Sequence, residues 1–92
     1  MNVDVEIYMK TFINFFENNP NDLMDLIGDK LKEKFYDRVK NQALKNIDKG
    51  EDPALTRPQL IDIVVNLRKG DVPPTVIEGI MEKNKFGSFC LN

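Results

Sequence analysis

The hydrophobic residues of this chain recur every three or four positions, which is the spacing of helices that each bury one face. The pattern predicts helices over about residues 3–17, 20–27, 29–49 and 57–69, and a fifth that begins at residues 71–74. We therefore expect an all-α fold with a single domain over residues 1–92, in which four to five short helices pack around one long central helix at about 29–49. The expected core consists of the large apolar side chains on the inner helix faces: Tyr8, Phe12, Phe15, Phe16, Leu23, Leu26, Ile27, Phe35, Val39, Ile47, Leu60, Val64, Leu67, Ile77 and Ile80.

The ends of the first two helices are marked by residues with strong capping preferences. Asn2 or Asp4 is able to cap the first helix, and Pro20 ends it because the residue before a proline avoids the α region. Pro20 also suits the first turn of the second helix, with Asn19 as the predicted cap and Asp22 near the positive end of the helix dipole.

The next two boundaries are also predicted by local chemistry. Gly28 is expected to end the second helix in a left-handed conformation, Asp29 to cap the third, and Gly50 to end the third. Thr56 and Gln59 have the spacing of a capping box, which begins the fourth helix directly after Thr56.

The segment 60–67 has two interpretations. Its β-branched residues are typical of a strand, but its polar residues collect on one side of a helix, so we favour a helix. Apolar residues cover about 200° of that helix, which implies burial on two sides, in the domain centre or at a dimer contact. The candidates for contact with a second copy are Ile61, Ile63 and Val65.

Residues 84–92 form a C-terminal tail that is expected to be extended or to dock on the helices. Its apolar residues Phe86, Phe89 and Leu91 are costly to leave in water. We interpret Cys90 as a small hydrophobic residue of this tail, with a reactive or palmitoylated thiol as the alternative.

The charges single out the third helix. Lys30, Lys34, Arg38, Lys45 and Lys49 fall within an arc of about 100° and form a basic stripe beside its apolar face. Lysine and arginine on one helix face are the side chains that contact successive phosphates of a nucleic acid. The stripe is therefore the candidate phosphate-binding site of the chain.

Other features favour a solvated face for this stripe. Asp37 and Asp48 lie within one helical turn of stripe residues and are expected to neutralise part of it. No aromatic residue alternates with the bases, so a stacking platform for single strands is missing. The net charge of −2 adds no long-range attraction to a polyanion.

The chain offers little catalytic chemistry. It has no histidine and one cysteine, so the common general base and the cysteine-rich metal sites are missing. It also has no glycine-rich phosphate loop and no nucleophile motif. Glu78 and Glu82 lie four apart on the fifth helix, but a solvated surface is the ordinary place for such a pair. We expect no enzyme activity, no catalytic residue, no cofactor and no metal site.

The sequence also bears on location. No apolar run approaches the roughly 20 residues of a membrane span. The N-terminal residues lack the positive charge that begins a signal peptide. We therefore expect a cytoplasmic protein without a membrane partner.

Four short segments of the first 40 residues carry a resemblance to other proteins. They are Phe15-Phe16, Pro20-Asn21-Asp22-Leu23, Leu26-Ile27-Gly28 and Lys34-Phe35. In this combination the chain resembles small uncharacterised proteins of marine T4-like phages or their hosts. The resemblance implies a small accessory protein and carries over no functional residue.

The sequence does not by itself identify a function. We expect a small non-catalytic interaction or accessory module whose partner is a protein, either a second copy in a homodimer or another chain, with no small-molecule substrate. The alternative is a nucleic-acid-binding accessory protein that holds phosphates with the basic stripe and reads bases with Arg57 and Gln59. Those two residues begin the fourth helix, as in a helix-turn-helix, although the long third helix and the loose connection at 50–54 differ from that motif.

Overall fold

The computed structural model describes residues 3–19, 21–84 and 90–91, and these form five α-helices and two very short strands. The elements are α1 (Val3–Asn18), α2 (Asp22–Ile27), a 3₁₀ helix (Asp29–Leu31), α3 (Lys32–Asp48), β1 (Leu55–Thr56), α4 (Arg57–Leu67), α5 (Pro74–Asn84) and β2 (Cys90–Leu91). The prediction of an all-α fold with one long helix is confirmed.

α3 lies at the centre of the arrangement. It packs against α1, α2 and α4, while α5 contacts α4 and α2 and so closes a ring of helices. The apolar face of α3 supplies Phe35, Val39 and Ala43, and all three are fully buried. A helix buried along one face and exposed along the other presents its charged side to solvent, which positions the basic stripe.

An aromatic cluster joins α1 to α3. The Phe12 ring has its centroid 4.6 Å from that of Phe16 and 5.7 Å from that of Phe35. The Tyr36 ring meets Phe12 edge-on at 6.4 Å. Tilted and edge-on pairs at these distances contribute beyond their buried area, so this contact fixes how α1 lies on α3.

The second helix begins two residues later than the sequence predicts. Its N-cap is Asn21, whose side-chain oxygen accepts a hydrogen bond from the Met24 N–H at 2.9 Å. The predicted cap Asn19 instead donates its side-chain amide to the Phe15 carbonyl at 3.0 Å and so finishes α1. Asp22 lies in the first turn, as predicted. Asn2, a candidate cap of α1, lies outside the described residues.

Asp29 does not cap α3, which corrects that prediction. Asp29–Leu31 form a 3₁₀ helix, and α3 follows from Lys32 without a side-chain cap. Gly28 ends α2 at φ 81°, a conformation that favours glycine, and its N–H donates to the Met24 carbonyl at 2.8 Å. The turn at Gly28 carries the chain from α2 into the 3₁₀ helix, and α3 follows without a break.

The capping box at the start of α4 is present in full. The Thr56 hydroxyl accepts from the Gln59 N–H at 3.3 Å, and the Gln59 side chain accepts from the Thr56 N–H at 3.0 Å. This local chemistry decides between the two interpretations of segment 60–67, which is helical.

The C-terminal residues Cys90–Leu91 run parallel to Leu55–Thr56 and pair with them. Leu55 is fully buried, and its N–H donates to the Tyr8 hydroxyl at 3.3 Å. β1 therefore connects the end of the chain with both α1 and the start of α4.

The predicted core is largely the observed one. Ten of its members are buried: Phe12, Phe16, Leu23, Ile27, Phe35, Val39, Leu60, Val64, Leu67 and Ile77. The others pack against it while partly exposed: Tyr8, Phe15, Leu26, Ile47 and Ile80. Buried residues outside the predicted set are Val5, Met9, Tyr36, Ala43, Leu55, Ile63 and Met81.

Candidate anion-binding face

The basic stripe lies along the solvent side of the central helix. Lys34, Arg38 and Lys45 project from α3, while Lys30 lies in the 3₁₀ helix and Lys49 directly follows α3. All five side chains are exposed. The five bases therefore lie on one exposed side of the segment 30–49.

No member of the stripe forms an ion pair with another described residue. The three ion pairs in the described part of the chain join Lys32 to Glu17, Arg57 to Glu82 and Lys83 to Asp22. In the first pair, the hydrogen bond and negative charge of Glu17 raise the pKa of Lys32.

The two acids expected to neutralise the stripe are not paired with it. Neither Asp37 nor Asp48 comes within ion-pair distance of a described base, so neither acid forms a direct contact with a stripe residue. This differs from the sequence-based expectation because neighbouring turns of a helix allow a contact without requiring it.

A polar recess of about 400 Å³ opens between the stripe and α4. Its walls are Arg38, Asn41, Gln42 and Lys45 of α3 and Gln59, Asp62, Ile63 and Asn66 of α4. Asp62 is the one carboxylate among these lining residues. The recess therefore offers two cations and several amide donors side by side, which is a suitable surface for phosphate and sugar oxygens.

One residue that lines this recess, Gln59, forms a closed amide pair with the buried Asn46. Each side-chain nitrogen donates to the oxygen of the other at 3.0 Å. The Gln42 side-chain amide also donates to the Asn46 oxygen at 3.1 Å, so that oxygen accepts two hydrogen bonds. Asn46 is 2% exposed, so its polar atoms depend on these partners.

The candidate base-reading residues are both engaged within the protein. The Arg57 guanidinium donates to the Glu82 carboxylate at 2.8 Å, and the Gln59 amide belongs to the amide pair and the capping box. Arg57 or Gln59 would have to break these internal hydrogen bonds in order to contact a nucleic-acid base. The structure brings Gln59 to the basic stripe, whereas Arg57 lies in a separate shallow depression beside Glu78.

The candidate dimer residues lie on different sides of α4. Ile63 is 8% exposed and belongs to the core. Ile61 and Val65 are half-buried and pack against it. The wide apolar arc of α4 is thus mostly covered within one copy of the chain, by contacts with α3, α5 and β1.

A second groove, which we call the α1 groove, runs between α1 and α3 and encloses about 860 Å³. Its lining is Glu6, Met9, Lys10 and Ile13 of α1 and Glu33, Lys34, Tyr36, Asp37 and Lys40 of α3. Sequence reasoning missed it because it considered α1 and α3 separately. The exposed positions Val3 and Ile7, which lie off the buried face of α1, are the signal that could have drawn attention to this side.

The Tyr36 hydroxyl lies beneath this groove. Its oxygen is buried without a hydrogen-bond partner among the described residues. Burial, followed by the negative charges of Glu17 and Glu33, raises the pKa of Tyr36 to about 12. The phenol therefore stays neutral at physiological pH.

The described residues contain no group of three or more metal-ligating side chains, and none of their helices is long and apolar enough to cross a membrane. No protein-family model, curated protein or solved structure matches the chain. The resemblance to phage proteins consequently stays a prediction, as does the absence of catalysis.

Proposed function

We propose that this protein is a non-catalytic binding module whose basic stripe binds an anionic polymer, and that the polymer is a nucleic acid. The observation that carries this proposal is that all five stripe residues are exposed and none is ion-paired with a described residue. Cations without ion-pair partners along α3 and at its two ends are available for phosphates at no cost in broken ion pairs.

The dimensions of the stripe support this proposal. From Lys30 to Lys49 the helical segment extends about 30 Å, which is enough to follow several phosphates along one strand. Asn41 lies within the stripe, and Asn66 faces it across the recess. Both are exposed, so they can add neutral hydrogen bonds to phosphate or sugar oxygens.

The overall charge determines what kind of binding this is. Since the chain has a net charge of −2, attraction to a polyanion is confined to the stripe and acts over about one Debye length, 8–10 Å at physiological salt. Binding is therefore expected to be local, salt-sensitive and largely independent of sequence.

The test is the affinity for a short duplex and for a single strand at several salt concentrations. If all five bases contact phosphates, a plot of log affinity against log salt should have a slope of about −4 to −5 on duplex DNA. The double variant Lys34→Glu with Arg38→Glu should remove binding. It should leave the fold intact, because both side chains are exposed.

A matched control carries the same change in charge away from the stripe. Lys69→Glu with Lys83→Glu replaces two exposed bases outside α3 and should keep most of the affinity. Equal losses in the two double variants would indicate an effect of net charge alone. Absence of salt-dependent binding to either nucleic acid would leave the stripe as a solvated face and refute the proposal.

A further inference from the structure

The five bases of the basic stripe are unevenly spaced along the helix. Lys30, Lys34 and Arg38 follow one another at intervals of four residues and form what we call the first cluster. Lys45 and Lys49 form the second cluster, which begins seven residues after Arg38. At a rise of about 1.5 Å per residue, neighbours within a cluster are about 6 Å apart along the axis, whereas Arg38 and Lys45 are about 10 Å apart. The midpoints of the two clusters are about 20 Å apart.

The gap between the two clusters coincides with the polar recess. Arg38 and Lys45, the facing members of the clusters, both line it, and Asn41 and Gln42 lie between them on α3. Asp62 of α4 is exposed at the same recess and forms no ion pair with a described residue. Its carboxylate repels a phosphate placed at the gap, so sugar oxygens and base edges fit there better than phosphates do.

One aspartate stands beside each cluster, Asp37 beside the first and Asp48 beside the second. Neither lines the recess, and Asp37 lines the α1 groove on the other flank of α3. At about 100° per residue, both lie further around the helix from Asn46, which is bonded to α4, than the bases of their own cluster do. Phosphates that approach from the α4 side therefore come closer to the bases than to these acids.

The described aromatic side chains all lie away from the stripe. They belong to α1 or to the buried face of α3: Tyr8, Phe12, Phe15, Phe16, Phe35 and Tyr36. Proteins that hold single strands without sequence preference stack the bases on accessible aromatic rings. The stripe instead presents cations and amides, which suit the fixed phosphates of a duplex whose bases are already stacked.

We propose that the nucleic acid is a duplex and that α3 lies across one of its grooves, with the first cluster on one backbone and the second cluster on the other. The major groove of B-form DNA is about 12 Å wide, which lies between the gap of about 10 Å and the midpoint separation of about 20 Å. The polar recess then faces the groove between the two backbones. This inference rests on the proposed function and adds that the stripe contacts both strands.

The decisive experiment compares a fully charged duplex with one in which a single strand carries neutral methylphosphonate linkages. Both duplexes have about 16 base pairs and so exceed the length of the stripe, about 30 Å. Binding is followed by fluorescence anisotropy over a series of salt concentrations. If the clusters hold different strands, the half-neutral duplex offers charged phosphates to one cluster at a time.

The variant Lys45→Gln with Lys49→Gln removes the second cluster. On the fully charged duplex, the slope of log affinity against log salt should become shallower by about 1.8, because two phosphate contacts are lost. On the half-neutral duplex the slope should change by less than about 0.5, because the first cluster holds the charged strand with or without the second. A stripe that followed one strand would instead give a change of about 1.4 to 1.8 on both duplexes.

A matched control and a single strand complete the experiment. Lys69→Gln with Lys83→Gln makes the same change in net charge at exposed positions outside α3 and should leave both slopes within about 0.3 of the original. Circular dichroism of each variant checks that the helices are retained, which is expected for exposed positions. A single strand of the same sequence should bind at least about ten-fold more weakly than the duplex at equal salt.

Two results would overturn this inference and leave the proposed function standing. One is an equal change of slope on the two duplexes when the second cluster is removed, which would place the whole stripe on one strand. The other is a single strand that binds as tightly as the duplex. Absence of salt-dependent binding to both duplex and single strand would refute the proposed function and this inference together.

Discussion

α3 meets its two main neighbours through contacts of opposite chemistry. Towards α1 the contact is aromatic, with the rings of Phe12, Phe16 and Phe35 tilted or edge-on to one another. Towards α4 it includes a buried amide pair, Asn46 and Gln59, with two reciprocal hydrogen bonds. The aromatic contact stabilises mainly by burying apolar surface, which has no strict directional requirement. The amide pair needs one relative orientation of Asn46 and Gln59 to form both hydrogen bonds.

The two contacts also lie beneath different openings on the surface of the molecule. The aromatic contact lies beneath the α1 groove, where Tyr36 forms part of the floor. The amide pair lies beneath the polar recess beside the basic stripe. We infer that the aromatic contact holds α1 and α3 together beneath the α1 groove. The hydrogen bonds of the amide pair set the distance between the basic stripe and α4.

The largest expected effect comes from breaking the aromatic contact. Phe12→Ala should cost about 3–5 kcal/mol, because the Phe12 ring is fully buried and contacts four other rings. A domain of this size has about 5–15 kcal/mol in total, so the variant should be close to unfolding. Urea unfolding measures the loss. Ile7→Ala on the same helix should change stability by less than about 0.5 kcal/mol, and a similar loss there would contradict this account.

A smaller effect is expected from breaking the amide pair. Gln59→Met keeps the approximate shape but leaves the buried Asn46 amide without its acceptor, at a cost of about 1–3 kcal/mol. Adding Asn46→Leu should recover part of that cost, since replacing both partners removes the unsatisfied group. Fully additive losses in a double-mutant cycle would show that the two amides are not coupled.

The smallest effect is expected at Tyr36. Because its hydroxyl is buried without a partner among the described residues, Tyr36→Phe should leave stability at neutral pH unchanged or raise it by up to about 1 kcal/mol. A loss would indicate that the hydroxyl has a stabilising partner after all.

The same residue gives a pH-dependent comparison. The folded-state pKa of about 12 lies above the ordinary value of 10.0, so the fold favours the neutral phenol. Below pH 10 both states are protonated and the stability is intact. As the pH rises from 10 towards 12 the unfolded chain ionises first, and the free energy of unfolding falls. Wild type should therefore lose more stability than Tyr36→Phe across this interval, as measured by urea unfolding at each pH.

The sequence alone determined the helices and most of the core, because those depend on contacts within one or two helical turns. Apolar spacing identified all five helices, and the polar residues on one side of segment 60–67 favoured a helix there against its β-branched composition. The shift of a cap from Asn19 to Asn21 shows the limit of such local signals. Several residues near a helix start have the right chemistry, and the entering path of the chain selects one.

Which side chains meet across helices depends on the tertiary structure. The amide pair joins residues 13 apart, and Leu55 is buried because α1, α4 and β2 surround it, not because of any periodicity around it. The same is true of the unpaired basic stripe and the α1 groove, which depend on rotamers and on how α1 lies against α3. Periodicity specifies which face of a helix is buried, but the neighbour that covers it, and the surface left open beside it, follow from how all the helices pack together.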